Sequence, residues 1–216
     1  DAQSPLSRLL ASVYRSALPN AMFLDFDSAG SRGVLDAIDA LRSGDLVVLV
    51  QSSSFRLNEF RIRIELFKRG LATIEHVHLE RATDDAQREI YVDALAYDPA
   101  YYLGRGRMLK EKIDAAHTVT VRCKGTRLNY EGGMEPAKLN VGDYAGMVNI
   151  GGTFPIGEVF SEPRDLTRVN GEAMIFGFAG TDHLVQVHEP FKIRVERGVL
   201  TAADAPAAFV EVLEQI

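Results

Sequence analysis

The feature that most constrains this chain is a pair of strand-sized apolar runs separated by one helix-sized stripe. Asp45–Val50 is apolar and rich in valine, and Ser52–Ser54 is a serine-rich turn. Leu57, Phe60, Ile64 and Phe67 then recur at helical spacing up to Gly70, and Ala72–Leu79 reads as a strand again. A strand, a helix and a second strand over this length predict a βαβ unit. Its crossover is right-handed in nearly all cases, and its strands are parallel.

The flanking pattern extends this reading. Ala21–Phe26 is a short strand-like run, Ser28–Ser31 supplies cap chemistry, and Val34, Ile38 and Leu41 follow at helical spacing before Gly44 closes the segment. Asp84–Ala116 reads as helical with a break at Asp98-Pro99, because proline disfavours helix at the residue before it. At His117 the texture changes. His117–Cys123 alternates as a strand, and short β-like runs continue to Arg197, divided by Gly, Pro and Asn-Gly signals, with Asn170-Gly171 the strongest turn candidate. Pro206 suits the first turn of a terminal helix. The expected fold is α/β: residues 1–116 form an α/β domain with a parallel sheet and βαβ units. Residues 117–216 form a β-rich, mainly antiparallel domain.

Composition narrows the function classes. With 216 residues, 46% apolar and 25% charged, the chain can bury a full core, which excludes disordered and collagen-like classes. Thirty acidic against 24 basic side chains give a net charge of −6, which argues against a dedicated nucleic-acid or anionic-membrane binder. The single cysteine, Cys123, cannot form an internal disulfide, so a reduced, cytoplasmic location is expected. No apolar run approaches the roughly 18 residues of a membrane span, and the N-terminus has no signal-peptide pattern. The chain begins at Asp1 rather than Met and ends at Ile216 inside a helix-like segment, which suggests a piece of a longer protein.

Several residues are candidates for chemistry. Gln51-Ser52-Ser53-Ser54 lies between a strand and a helix, where backbone N–H groups could hold an anion or simply cap the helix. Arg56, Arg61, Arg63, Lys68 and Arg69 on the following helix read as a solvated face. His76 and His78 share one face of a strand, a spacing that suits two metal-bound imidazoles, or two that are packed or hydrogen-bonded near the strand end. His183 and His188 fall on opposite faces of a regular strand and make a poor pair. Cys123 reads as a small buried hydrophobe rather than a nucleophile unless His117 reaches it. No GxGxxG or GxxxxGK[ST] loop, GxSxG elbow or HExxH helix occurs.

The densest motif is Asn149-Ile150-Gly151-Gly152-Thr153-Phe154-Pro155-Ile156-Gly157-Glu158-Val159-Phe160-Ser161-Glu162-Pro163. Its glycines and prolines define a turn-rich backbone that can orient Glu158, a hard oxygen donor able to bind or bridge divalent ions. With Val169-Asn170-Gly171-Glu172 downstream and His117–Val121 and Lys124-Gly125-Thr126 upstream, this block resembles the aminopeptidase T family of metalloaminopeptidases. That family reads roughly Asn-x-Pro-x-Gly/Glu-Glu-Val-Phe-x-x-Pro and then Val-x-Gly. The similarity covers about residues 107–200, and the Asn149–Pro155 spacing is longer than the family's Asn-x-Pro.

The resemblance implies that Glu158 is a metal ligand in a two-metal site holding Zn²⁺, Co²⁺ or Mn²⁺, with a peptide as substrate and a homodimer as a plausible assembly. Family members add a second Glu, two His, an Asp and a Tyr from a C-terminal half outside the matched region, and His183 and His188 do not occupy those motifs. A related branch of ring-cleaving dioxygenases uses Fe²⁺ instead. A non-catalytic binding or assembly module on the same scaffold is the alternative from a different class.

Overall fold

A computed structural model describes residues 1–53, 62–181 and 185–215, apart from the side chain of Gln186. Its elements in chain order are α1 (Pro5–Ala17), α2 (Phe26–Asp39), β1 (Leu46–Val50), α3 (Ile62–Lys68), β2 (Ala72–His76), α4 (Asp85–Ala94) and α5 (Pro99–Asp114). There follow β3 (Thr118–Cys123), β4 (Thr126–Glu131), β5 (Lys138–Asn140), β6 (Gly151–Thr153), β7 (Glu158–Phe160), β8 (Val169–Ala179), β9 (Val185–Glu196), β10 (Val199–Thr201) and α6 (Ala207–Leu213). The fold is mixed α/β, with a three-stranded parallel sheet, a five-stranded antiparallel sheet and a two-stranded sheet of β5 and β7. No helix among the described residues is long and apolar enough to cross a membrane.

The chain divides into two compact units, Asp1–Arg105 with Asn140–Glu158, and Gly106–Leu139 with Val159–Ile216. The change of texture at residues 116–117 marks where helix gives way to strand. The compact units divide instead within α5, and residues 140–158 return to the first unit with Glu158.

In the first unit β1, β2 and β6 form a parallel sheet in that order, with Val48 opposite Ile74 and Ile74 opposite Gly152. The β1–α3–β2 unit is the parallel pair that the apolar spacing implies. One face of β1 sends Val47 and Leu49 against Ile38, Ile62, Leu66 and Leu71, while Val50 packs with Leu6, Leu10 and Leu79. Alternation along β1 therefore sets apolar clusters against both of its faces, although Leu46 stays exposed and the rest of the strand is half-buried.

Several elements differ from the sequence reading. Ala21–Phe26 forms no strand; Phe26 opens α2, which kinks at Gly30 where φ is 64°. The strand expected over Ala72–Leu79 stops at His76, and Leu79–Arg81 is a 3₁₀ turn. Gly151–Thr153, read as turn-rich backbone, is the third parallel strand. A Cβ on Gly151 would lie 1.8 Å from the Thr73 carbonyl oxygen, so glycine is what lets β6 approach β2. Helix α1 has no counterpart in the sequence reading, although Ser4 caps it reciprocally with Ser7 and Pro5 opens it.

The second unit contains an antiparallel sheet ordered β10-β9-β8-β4-β3. The β3–β4 hairpin turns at Lys124 and Gly125, with φ of 44° and 83°, the left-handed pair that a tight two-residue turn needs. Asn170-Gly171 is not a turn. It lies inside β8, where Gly171 (φ 131°) faces Leu128 and a Cβ would meet the Arg127 carbonyl oxygen at 2.1 Å. The core of this sheet is Leu128, Val169, Ala173, Phe191, Ile193 and Val195, closed by Phe209 of α6.

Candidate functional site

Ligands of open α/β sheets bind outside the carboxyl ends of parallel strands, so those ends of β1, β2 and β6 are the first place to look. His76 closes β2 with only 1% of its surface exposed. Its Nε2 lies 2.9 Å from the Tyr14 hydroxyl and its Nδ1 2.9 Å from the Tyr91 hydroxyl. Tyr91 donates its one proton to the Phe154 carbonyl at 3.0 Å. That leaves Tyr91 Oη as acceptor for His76 Nδ1–H, and Tyr14 as donor to Nε2. Burial pushes the His76 pKa down to about 4, so the ring is neutral, as this arrangement requires. Burial likewise raises both tyrosines, and each stays a protonated donor.

Beside this group, Ser52 is tied into the start of α1. Its hydroxyl accepts from the Ser4 N–H at 2.8 Å and lies 2.9 Å from the Ser7 hydroxyl. The Ser52 N–H donates to the Asp1 carboxylate, with both oxygens at 3.1 Å. The strand end thus does meet a carboxylate, and it is the chain's own. Ser54, Arg56, Leu57, Phe60 and Arg61 lie outside the described residues. Arg63, placed on a solvated face by sequence, instead donates to Glu75 Oε2 at 2.6 Å and to the Thr153 hydroxyl, while Thr153 donates to the same Glu75 oxygen at 2.9 Å. This partly buried trio joins α3, β2 and β6. Arg69 pairs with Asp39 and Glu65, and Lys68 stays largely exposed.

The two-histidine pair does not form. His78 lies past the end of β2 in a left-handed conformation (φ 58°), with Nδ1 3.7 Å from Glu80 Oε1, and His76 is committed to two tyrosines. Cys123 is half-buried at one end of β3, and His117 is exposed before the other, roughly 20 Å away along an extended strand. No thiol–imidazole couple exists between them. His188 on β9 stacks on Phe178 with centroids 4.9 Å apart. His183 lies outside the described residues.

Glu158 opens β7 on the surface. Gly157 before it has φ 133°, and a Cβ there would meet the Tyr102 ring at 2.8 Å, while its N–H donates to the Asn140 carbonyl at 3.1 Å. The backbone at Glu158 is therefore pinned, yet among the described residues its carboxylate has no hydrogen-bond or ion-pair partner. It is a free oxygen donor on a fixed strand. Among the described residues no three His, Cys, Asp or Glu side chains stand close enough to share an ion. One carboxylate does not fit the donor set of a two-metal centre.

Sequence reasoning singles out His76 and Arg63 but misses the tyrosine–histidine group and the Arg63–Glu75–Thr153 trio that they build. Their only linear trace is polar residues at 75 and 76 closing an apolar strand. Tyr14, Tyr91 and Thr153 are remote in sequence and converge only in the fold. In comparisons with known proteins the chain matches no family model, no curated protein and no solved structure.

Proposed function

We propose that the chain belongs to a divalent-metal-dependent aminopeptidase, with Glu158 as one ligand of a Zn²⁺, Co²⁺ or Mn²⁺ site and a peptide as substrate. The observation that carries this reading is the Glu158 carboxylate, unpaired among the described residues, on a pinned backbone within the Gly157-Glu158-Val159-Phe160 block. The other ligands would come from outside the described residues, from further chain or from a second copy in a homodimer. The test is release of p-nitroaniline from aminoacyl-p-nitroanilides by the protein of the natural gene, with and without each metal. Glu158→Gln is expected to cut metal-dependent turnover at least about a hundredfold, in line with loss of a ligand. Turnover that survives this substitution at full rate removes Glu158 from the site.

A second reading, a non-catalytic binding module, is favoured by one specific observation. Most polar side chains described at the carboxyl ends of the parallel strands are spent on each other, through His76, Tyr14 and Tyr91 and through Ser4, Ser7 and Ser52, with Gln51 Oε1 the exception. Under this reading no metal stimulates hydrolysis, and Glu158→Gln changes nothing.

A further inference from the structure

The parallel sheet ends at β1, and among the described residues no strand covers its outer edge. The direction of its backbone groups follows from the pairing. Asp45 accepts from Ala72 N–H and Gln51 donates to the His76 carbonyl, so the odd-numbered residues face β2. Leu46, Val48 and Val50 therefore turn their N–H and C=O groups away from the sheet. Val50 already shows what this edge accepts: its carbonyl takes the Asp1 nitrogen as donor at 2.9 Å.

This edge lies at the floor of a groove of about 370 Å³, walled by Ala21, Met22 and Leu24 and by Phe26, Val34 and Leu41. Met22 (67%), Leu46 (51%) and Leu24 (45%) are exposed apolar side chains along it. At one end sits Gln51, 2% exposed, whose Oε1 has no hydrogen-bond partner among the described residues. A buried amide oxygen without a donor is costly, and Gln51 is among the residues that line the groove. Such an edge also lacks the lysine, proline or bulge that commonly shields an uncovered strand.

We propose that this groove binds an extended, apolar peptide segment by strand addition. Its alternate backbone groups would pair with Leu46, Val48 and the Val50 N–H, and a turn of the Gln51 side chain would let one further N–H reach its Oε1. Charge defines the segment's ends. Among the described residues the charged side chains that line the groove are Asp45 and Asp1, at opposite ends of β1, so basic flanks are favoured over acidic ones. Its concavity selects a single strand rather than a second copy of this chain, because the partner's β1 would be recessed behind the same walls. The proposal is independent of the metallopeptidase reading and is tested without metal.

The probe is a fluorescein-labelled peptide, acetyl-Lys-Val-Thr-Val-Ser-Val-Lys-amide, titrated with the full chain and followed by anisotropy and by amide hydrogen exchange. Saturable binding is expected, with new protection at the Leu46, Val48 and Val50 amides. N-methylation of one alternate set of peptide residues should weaken binding about tenfold or more, while methylation of the other set is tolerated, because only one set faces the edge. A Glu-flanked peptide should bind several-fold more weakly. Leu46→Lys, at a half-exposed site compatible with folding, should weaken binding about tenfold, and Gln51→Leu should weaken it to a lesser degree. Three results overturn the proposal: no saturable binding of either peptide up to about 1 mM, indifference to which alternate set is methylated, or dimerisation of the chain that Leu46→Lys abolishes.

Discussion

A neutral imidazole held between two phenols makes His76 the residue with the most at stake in this protein. Its folded-state pKa of about 4 lies below the value of about 6.5 expected in an unfolded chain. As pH falls from about 6.5 towards 4 the unfolded chain takes up a proton that the folded chain refuses, so the unfolded state binds more protons in that window. The contribution is fully present above pH 6.5 and is lost as pH falls to 4, about 3 kcal/mol in all. Urea unfolding at a series of pH values should show this loss, and His76→Gln should flatten the pH dependence between 6.5 and 4. An unchanged slope would remove His76 as the cause. Tyr91→Phe, which strips a partner from both the ring and the Phe154 carbonyl, should cost about 1–3 kcal/mol at pH 7.

Among the elements, β6 is the one whose existence depends on a single atom. With φ 124° and no room for a Cβ beside the Thr73 carbonyl, Gly151 must be glycine for β6 to pair with β2. Gly151→Ala should cost more than about 3 kcal/mol in urea unfolding, because it breaks a ladder and uncovers β2 on its second edge. A loss below 1 kcal/mol, in the same titration, would mean that β6 contributes little. Asn170-Gly171 teaches the complementary lesson. The dipeptide licenses positive φ, and a hairpin turn and a close strand approach both use that licence, so only the neighbour, here Arg127, decides between them. Helix α1 carries a plain linear signal that the sequence reading left unused: Leu6, Leu9, Leu10, Val13 and Tyr14 recur at helical spacing behind the Ser4-Pro5 start. The fold buries only Leu6 and Leu10 of that stripe and leaves Leu9 and Val13 half-exposed.

At the scale of the whole molecule the chain is interleaved: the first unit takes residues 1–105 and then 140–158, and the second takes what lies between and after. A cut at the textural boundary would therefore separate β2 from its partner β6. A fragment of residues 1–105 should lack a cooperative urea transition by far-UV circular dichroism, while residues 1–158, which restore β6, should regain one. Cooperative unfolding of the shorter fragment would show β6 to be dispensable. What the amino-acid sequence determined by itself was the local grammar. The βαβ unit, the break at Asp98-Pro99, the β-rich second half and the rigid backbone around Glu158 follow from burial periodicity and from the φ restrictions of glycine and proline, which act over a few residues. The tertiary structure alone decided which distant segments met: Gly151–Thr153 joining β2, Tyr14 and Tyr91 closing on His76, and β1 left with an open edge. Those outcomes rest on contacts between residues tens of positions apart, whose energies no local pattern encodes.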